Sequence, residues 1–395
     1  MPPLRAYLDH NATTPLRAEA RAAMGAVWDL PGNASSIHAE GRAAHAMIEA
    51  ARAELAAFVN APAGNVIFTS GGTEALNLAL TPHLEAGGAA APFDLLLAGG
   101  GEHAAVLAGH RFPAAAFEAV GLTPAGALDL DALDAALARH RGRRPMLALQ
   151  AANNETGVIQ PVAAAAERVH AAGGFLVCDA VQAAGKIPCD MQAWGADALI
   201  VSAHKFGGPQ GAGGLCFASP ASHIRQALIR GGGQEHGLRA GTENVAGIAG
   251  MAAALRAAAA GLDQEAAKLA AWRDRLEADI SRIAPGAVFF GAGVARLPNT
   301  SCFALPGVEA QVLLMFLDVE GVAVSSGSAC SSGKVKRSHV LAAMGIEQNL
   351  AGGAIRVSMG WNSRAEDCVL FGRALERAVH RIGTRKVKSA GQAAA

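Results

Sequence analysis

Two hydrophobic rhythms alternate along this chain. Short, nearly continuous apolar runs occur at residues 66–69, 95–98, 146–150, 175–178, 198–202 and 214–217. Their length and β-branched content predict strands buried on both faces. Between them, apolar positions recur every three or four residues, which predicts helices over about 39–59, 75–80 and 162–172. Thr14-Pro15 predicts an earlier helix running to about Trp28, since proline is tolerated at the first helical position. Several runs end in a polar or glycine-rich turn, before a helix in Ser70-Gly71-Gly72-Thr73-Glu74 and Gly99-Gly100-Gly101-Glu102-His103, and before the run at 214–217 in Ala203-His204-Lys205 with the glycines that follow. Strand, turn and helix in repetition predict an α/β fold with a mostly parallel sheet covered by helices.

The rhythm changes near Gly261. A charged helix over Leu262 to Ile283 is followed by shorter mixed elements. Ser363 with Glu366 reads as a capping box for a last helix from Ala365 to about Ile382, with a frayed tail from Arg385 to Ala395. The expected organisation is a large domain over residues 15–260 and a smaller α+β domain made of 1–14 and 261–395.

At 395 residues the chain is long enough for two such domains. Apolar residues make up 51% and charged residues 17%, which excludes a disordered chain. Lys+Arg and Asp+Glu both number 33, so charge gives no reason to expect a nucleic-acid or membrane-surface partner. Asp9, His10 and Asn11 stand where a signal peptide would need an apolar core, and no apolar run approaches the ~18 residues of a membrane span, so a cytoplasmic protein is expected. The six cysteines include no C-x-x-C pair, which argues against a zinc knuckle or a disulfide framework.

Against this background a few polar residues stand out. Lys205 follows an apolar strand immediately; it is either a solvated loop lysine or an imine-forming lysine at the carboxyl end of a strand, where open α/β sheets place their ligands. Asp179 ends another apolar strand, where a carboxylate is costly unless partnered, by the protein or by a pyridinium nitrogen. Gly71-Gly72-Thr73 at a helix start is an anion cup without Walker or dinucleotide spacing. Lysine, carboxylate and phosphate cup are together what pyridoxal 5′-phosphate requires. His103 either caps a helix or stacks above such a ring and moves protons. Cys330 lies in a serine- and glycine-rich stretch unlike the surroundings of the other cysteines, either inert or a nucleophile on a mobile arm of about 325–337. Arg356 interrupts an apolar strand and pairs with a carboxylate, either the protein's own or a substrate's.

Taken with Tyr7 to Thr14, Gly32 to His38, Phe68 to Glu74, Asn153 to Gly157, Asp179 to Gln182, Gly231 to Glu235, Arg239 to Asn244, Leu297 to Thr300 and Ser325 to Cys330, these residues give a chain that resembles the cysteine desulfurases. The likeness is to the nitrogen-fixation type, pyridoxal-phosphate enzymes of the class V aminotransferases. It implies the type I transferase fold with a seven-stranded-type sheet, and conversion of L-cysteine to L-alanine. Lys205 would carry the cofactor and act as base; Asp179 would pair with the ring nitrogen, and His103 would serve above the ring. Gln182 and Asn154 would approach the phenolic oxygen. Gly72, Thr73, Ser202 and His204 would hold the phosphate, with Thr242 from the other subunit of a homodimer. Asn33 and Arg356, with Asn154, would hold the substrate. Cys330 would accept the sulfur as a persulfide and pass it to an iron–sulfur scaffold or another acceptor; the resemblance also allows it to be a metal ligand in a transient, shared iron–sulfur cluster.

Two departures matter. The cup reads Gly-Gly-Thr where many relatives have Gly-Ala-Thr, an exchange expected to be harmless, and Lys334, Lys336 and Arg337 make the arm more basic. A selenocysteine lyase or an aminotransferase on the same fold remains a rival reading, as does a non-enzymatic sulfur carrier or assembly scaffold.

Overall fold

The computed structural model describes residues 5–86, 92–326 and 337–393, with side chains to residue 382. Seven strands form the large sheet in the order Val66–Thr69, Gly213–Phe217, Ala198–Ser202, Phe175–Asp179, Pro145–Gln150, Leu95–Gly99, Phe117–Val120. The five strands from Ala198–Ser202 to Phe117–Val120 run parallel through four pairings, and Gly213–Phe217 runs antiparallel to both of its partners. Every residue of the three central strands is buried, which is why each reads as an unbroken apolar run. One face packs against the helices Ala39–Val59, Val162–Ala171 and Val245–Ala260, the other against Gly72–Ala79. In register, Gln150 lies opposite Asp179 and Asp179 opposite Ile200, so the polar residues that end these strands share one sheet edge.

A second, four-stranded antiparallel sheet runs Val288–Phe289, Thr300–Ala304, Ala354–Ser358, Ser325–Ser326. Leu269, Leu313 and Phe371, from the helices Leu262–Ile283, Ala310–Val319 and Ala365–Ala393, close over its Phe303 and Ile355. The change of rhythm at Gly261 is a bend of 72° between Val245–Ala260 and Leu262–Ile283. No single helix among the described residues is long and apolar enough to cross a membrane. The N-terminal strand Ala6–Tyr7 pairs with Val322–Ala323, and Asp9 bridges to Ser358, so the chain's start joins the second sheet.

Four expectations need correction. The first helix is Ala18–Trp28 and not a helix from Pro15, because the Thr14 N–H donates to the His204 carbonyl and its hydroxyl to that of His10. The edge strand Phe117–Val120 and the helix Leu130–Arg139 were not foreseen. The capping box does not form: the Ser363 hydroxyl accepts from the Gly360 N–H, and Asp367 reaches back to the Arg364 N–H instead. The last helix continues along the backbone to Ala393, beyond the expected fraying point.

Candidate active site

Lys205 ends a single turn, Ala203–Lys205, that continues directly from the strand Ala198–Ser202. The glycines after it are sterically required. Gly207 has φ +90°, and a Cβ on Gly208 would sit 2.8 Å from that of Ala203. The Lys205 amine donates to the backbone carbonyls of Asn11 at 2.6 Å and Ala12 at 2.9 Å.

Asp179 is only 7% exposed and accepts from the Val181 N–H at 2.9 Å. Burial pushes its carboxyl above the usual aspartate range, while the Val181 N–H, His103 and Lys205 pull the other way. His103 does cap a helix: its Nδ1 accepts from the Ala105 N–H at 3.1 Å. That fixes the neutral tautomer with its proton on Nε2. Across the cavity, the helix Gly72–Ala79 begins at Gly71 with φ +154° and no side-chain cap, which leaves its first N–H groups for a ligand. His204 lies 3.2 Å from the Thr13 hydroxyl, and burial, then Lys205 and Lys186, bring its imidazole down to about 4.

These groups surround one cavity of about 380 Å³. Lys205, Asp179, His103, Gly72 and Thr73 line it, and so do Ser202, His204, Asn154, Gln182 and Arg356. Arg356 is 2% exposed and already holds a carboxylate of the protein, with Nη2 2.8 Å from Asp9 Oδ1, while Nη1 donates to the Asn154 carbonyl.

Two expected residues lie elsewhere in this chain. Asn33 is exposed and accepts from the Ser35 N–H, and Thr242 is exposed. Cys330, its metal-ligand role included, lies outside the described residues. What flanks its segment is placed: Ser325 stands opposite Arg356 in the second sheet, Ser338 donates to Glu155 at 2.5 Å, and His339 Nε2 lies 2.8 Å from the Glu102 carbonyl.

Three contributors escaped sequence reasoning. Asn11 is a hub: its carbonyl takes Lys205 and the Gln182 amide, its Oδ1 takes Lys186 and Asn299, and its Nδ2 donates to Thr300 and the Asn154 carbonyl. Lys186 lies four residues after Gln182 and donates to it, a spacing that offered the only clue. Glu102 lies buried behind His103; it accepts from the Gln150 N–H through Oε1, while Oε2 has no partner among the described residues.

The model of the family "Aminotransferase class-V" matches residues 6–371. A cysteine desulfurase of Cereibacter sphaeroides is 42% identical over 374 residues, covering 92% of both chains. The cysteine desulfurase IscS of Dictyoglomus turgidum is 38% identical over 386 residues, covering 96% of this chain and 95% of that one. Among solved structures, the NifS-like protein of Rickettsia africae ESF-5 superposes with a TM-score of 0.86 at 30% identity, over 95% of this chain and all of that one.

Proposed function

The chain belongs to the class-V aminotransferase family, and from that premise we propose that it is a cysteine desulfurase, an enzyme converting L-cysteine to L-alanine with pyridoxal 5′-phosphate as cofactor. The observation that carries this reading is the placing of the buried Asp179 carboxylate, which burial holds above the usual aspartate range, and the Lys205 amine on one cavity. A pyridinium N–H would relieve the first, and an aldehyde carbon would engage the second. The uncapped helix at Gly72 fits a phosphate. The residues present fit the group.

Bound pyridoxal phosphate supplies an electron sink for the charge that develops at the substrate α-carbon. The protein's part is placement and proton traffic. Asp179 would keep the ring nitrogen protonated, while Gln182 and Asn154 would serve the phenolic oxygen. Gly72, Thr73, Ser202 and His204 hold the phosphate. Lys205 would hold the group and take the α-proton, its amine oriented by the Asn11 and Ala12 carbonyls. His103 offers its Nε2 proton from the cavity wall. Arg356 and Asn33 take the substrate carboxylate.

Cys330 attacks the substrate sulfur. L-cysteine and the Cys330 thiol become L-alanine and a Cys330 persulfide, which balances without an external oxidant. The persulfide then serves an iron–sulfur scaffold or another acceptor, with a transient cluster shared at Cys330 as the finer form of that role.

The reading includes a homodimer in which Thr242 and Asn33, both exposed here, complete sites across the interface; exposed apolar residues such as Ile37, 90% accessible, support it. It also includes a division near residues 15 and 260, supported by the bend at Gly261, and a cytoplasmic setting that keeps the thiols reduced. The test is direct. Protein incubated with pyridoxal phosphate must gain an imine absorbance that borohydride removes, Lys205→Ala must lack it, and the wild type must release alanine from cysteine. A colourless wild type would end the proposal.

A further inference from the structure

Lys186 follows the Phe175–Asp179 strand by seven residues and is 8% exposed. Its amine donates to Gln182 Oε1 at 2.6 Å and to Asn11 Oδ1 at 3.2 Å, both neutral acceptors. The titratable groups acting on it are the cations Lys205 and Arg356 and the Cys189 thiol, itself pushed up to about 12 by burial; His10 and His204 in turn feel its charge. Burial first, then those two cations, hold it well below the ordinary lysine value. An apolar side chain would fill such a place at lower cost.

The Gln182 amide gives the lysine a purpose. The Asn11 carbonyl can only accept, so the Gln182 atom 2.9 Å from it is Nε2. Oε1 is therefore turned to Lys186, its donor. Nε2 keeps a second N–H, and Gln182 lines the cavity. The same Asn11 carbonyl receives the Lys205 amine, so one small network sets both groups. Without Lys186, Oε1 loses this donor, and the amide is held against turning an acceptor toward the cavity by the Asn11 carbonyl alone.

We propose that Lys186 is a positioning residue for the reaction, which through Gln182 and Asn11 keeps an amide N–H directed at the ligand beside Lys205. The proposal rests on the pyridoxal-phosphate reading of the cavity. An N–H donor facing the ring's phenolic oxygen favours its ionised form, so the proton shared by that oxygen and the Lys205 nitrogen leaves at lower pH.

The test uses full-length protein loaded with pyridoxal phosphate, its absorbance recorded against pH, with thermal melting of the pyridoxal-free protein as the control for folding. Lys186→Met is expected to bind the cofactor and to move the absorbance transition upward by about one pH unit. Lys186→Arg, which can only donate, is expected to return it most of the way. A Met variant that titrates like the wild type overturns the proposal, as does an Arg variant that shifts as far as the Met one. Should Lys186→Met not fold, Gln182→Leu must give the same upward shift, and an unmoved transition there overturns the proposal equally. A wild type that takes up no pyridoxal phosphate overturns the cavity reading and this proposal together; a normal wild type with an unmoved variant overturns this proposal alone.

Discussion

Arg356 holds Asp9 at 2.8 Å, which ties a strand of the second sheet to the N-terminal segment at the wall of the cavity. The guanidinium is thus oriented before any substrate carboxylate arrives. Lysine cannot reproduce a planar fork. Arg356→Lys is expected to raise the KM for cysteine by about ten- to a hundredfold with a smaller loss in kcat. Asp9→Asn, which keeps an acceptor without the charge, should raise it less. Steady-state kinetics check this, and an unchanged KM in Arg356→Lys would take the substrate carboxylate away from this residue.

Cys330→Ala separates the desulfurase from its rivals. The variant should bind pyridoxal phosphate as the wild type does and release no alanine from cysteine, since the sulfur has lost its acceptor. Full alanine production would reject the persulfide step. Cleavage of selenocysteine alone would favour the lyase.

Glu102 predicts a pH dependence of stability. Burial, and then the charge of Asp179, hold its carboxyl well above the ordinary range against the pull of the Gln150 N–H. A group raised in the folded state adds stability that is full below its unfolded value, about 4.3, and is lost as pH rises through the folded value. The melting temperature of pyridoxal-free wild type should therefore fall as pH rises above the ordinary glutamate range. Glu102→Gln, uncharged throughout, should show a shallower fall. Parallel profiles for the two proteins would exclude the effect.

Gly72 has a spatial reason to lack a side chain. A Cβ there would lie 2.8 Å from Val181 Cγ2, so the exchange with alanine expected to be harmless carries a cost in this chain. Gly72→Ala should weaken pyridoxal phosphate binding by about five- to tenfold, the equivalent of roughly 1 kcal/mol of overpacking. Val181→Ala in the same chain should restore most of it. Absorbance titration of the two single variants and the double variant measures the coupling, and simple additivity would show that the two positions do not meet.

The large sheet was legible because its central strands are buried on both faces and carry no competing signal. Ala198–Ser202, Ala39–Val59 and Leu262–Ile283 fall where their hydrophobic pattern puts them. Phe117–Val120 was not legible: it is an edge strand whose only fully buried residue is Val120, so its pattern is faint. Ser363 misled because local spacing cannot say that its hydroxyl is taken by Gly360 and His10. At the cavity, Asp179 and Lys205 were visible because each interrupts or ends an apolar run. Asn11 was not, since its importance comes from partners at positions 182, 205, 299 and 300, which no periodicity links to it, and Lys186 offered only its four-residue spacing from Gln182.

Asn11 also has a bearing on how the protein is made. Its backbone N–H bonds the Ser358 hydroxyl, a residue 347 positions later. At roughly 5–20 residues per second on the ribosome, about twenty seconds to a minute must separate the emergence of these two partners. The support beneath Lys205 is completed only once Ser358 has been made. The large sheet, whose last strand ends at Phe217, has all its strands available well before that contact can form.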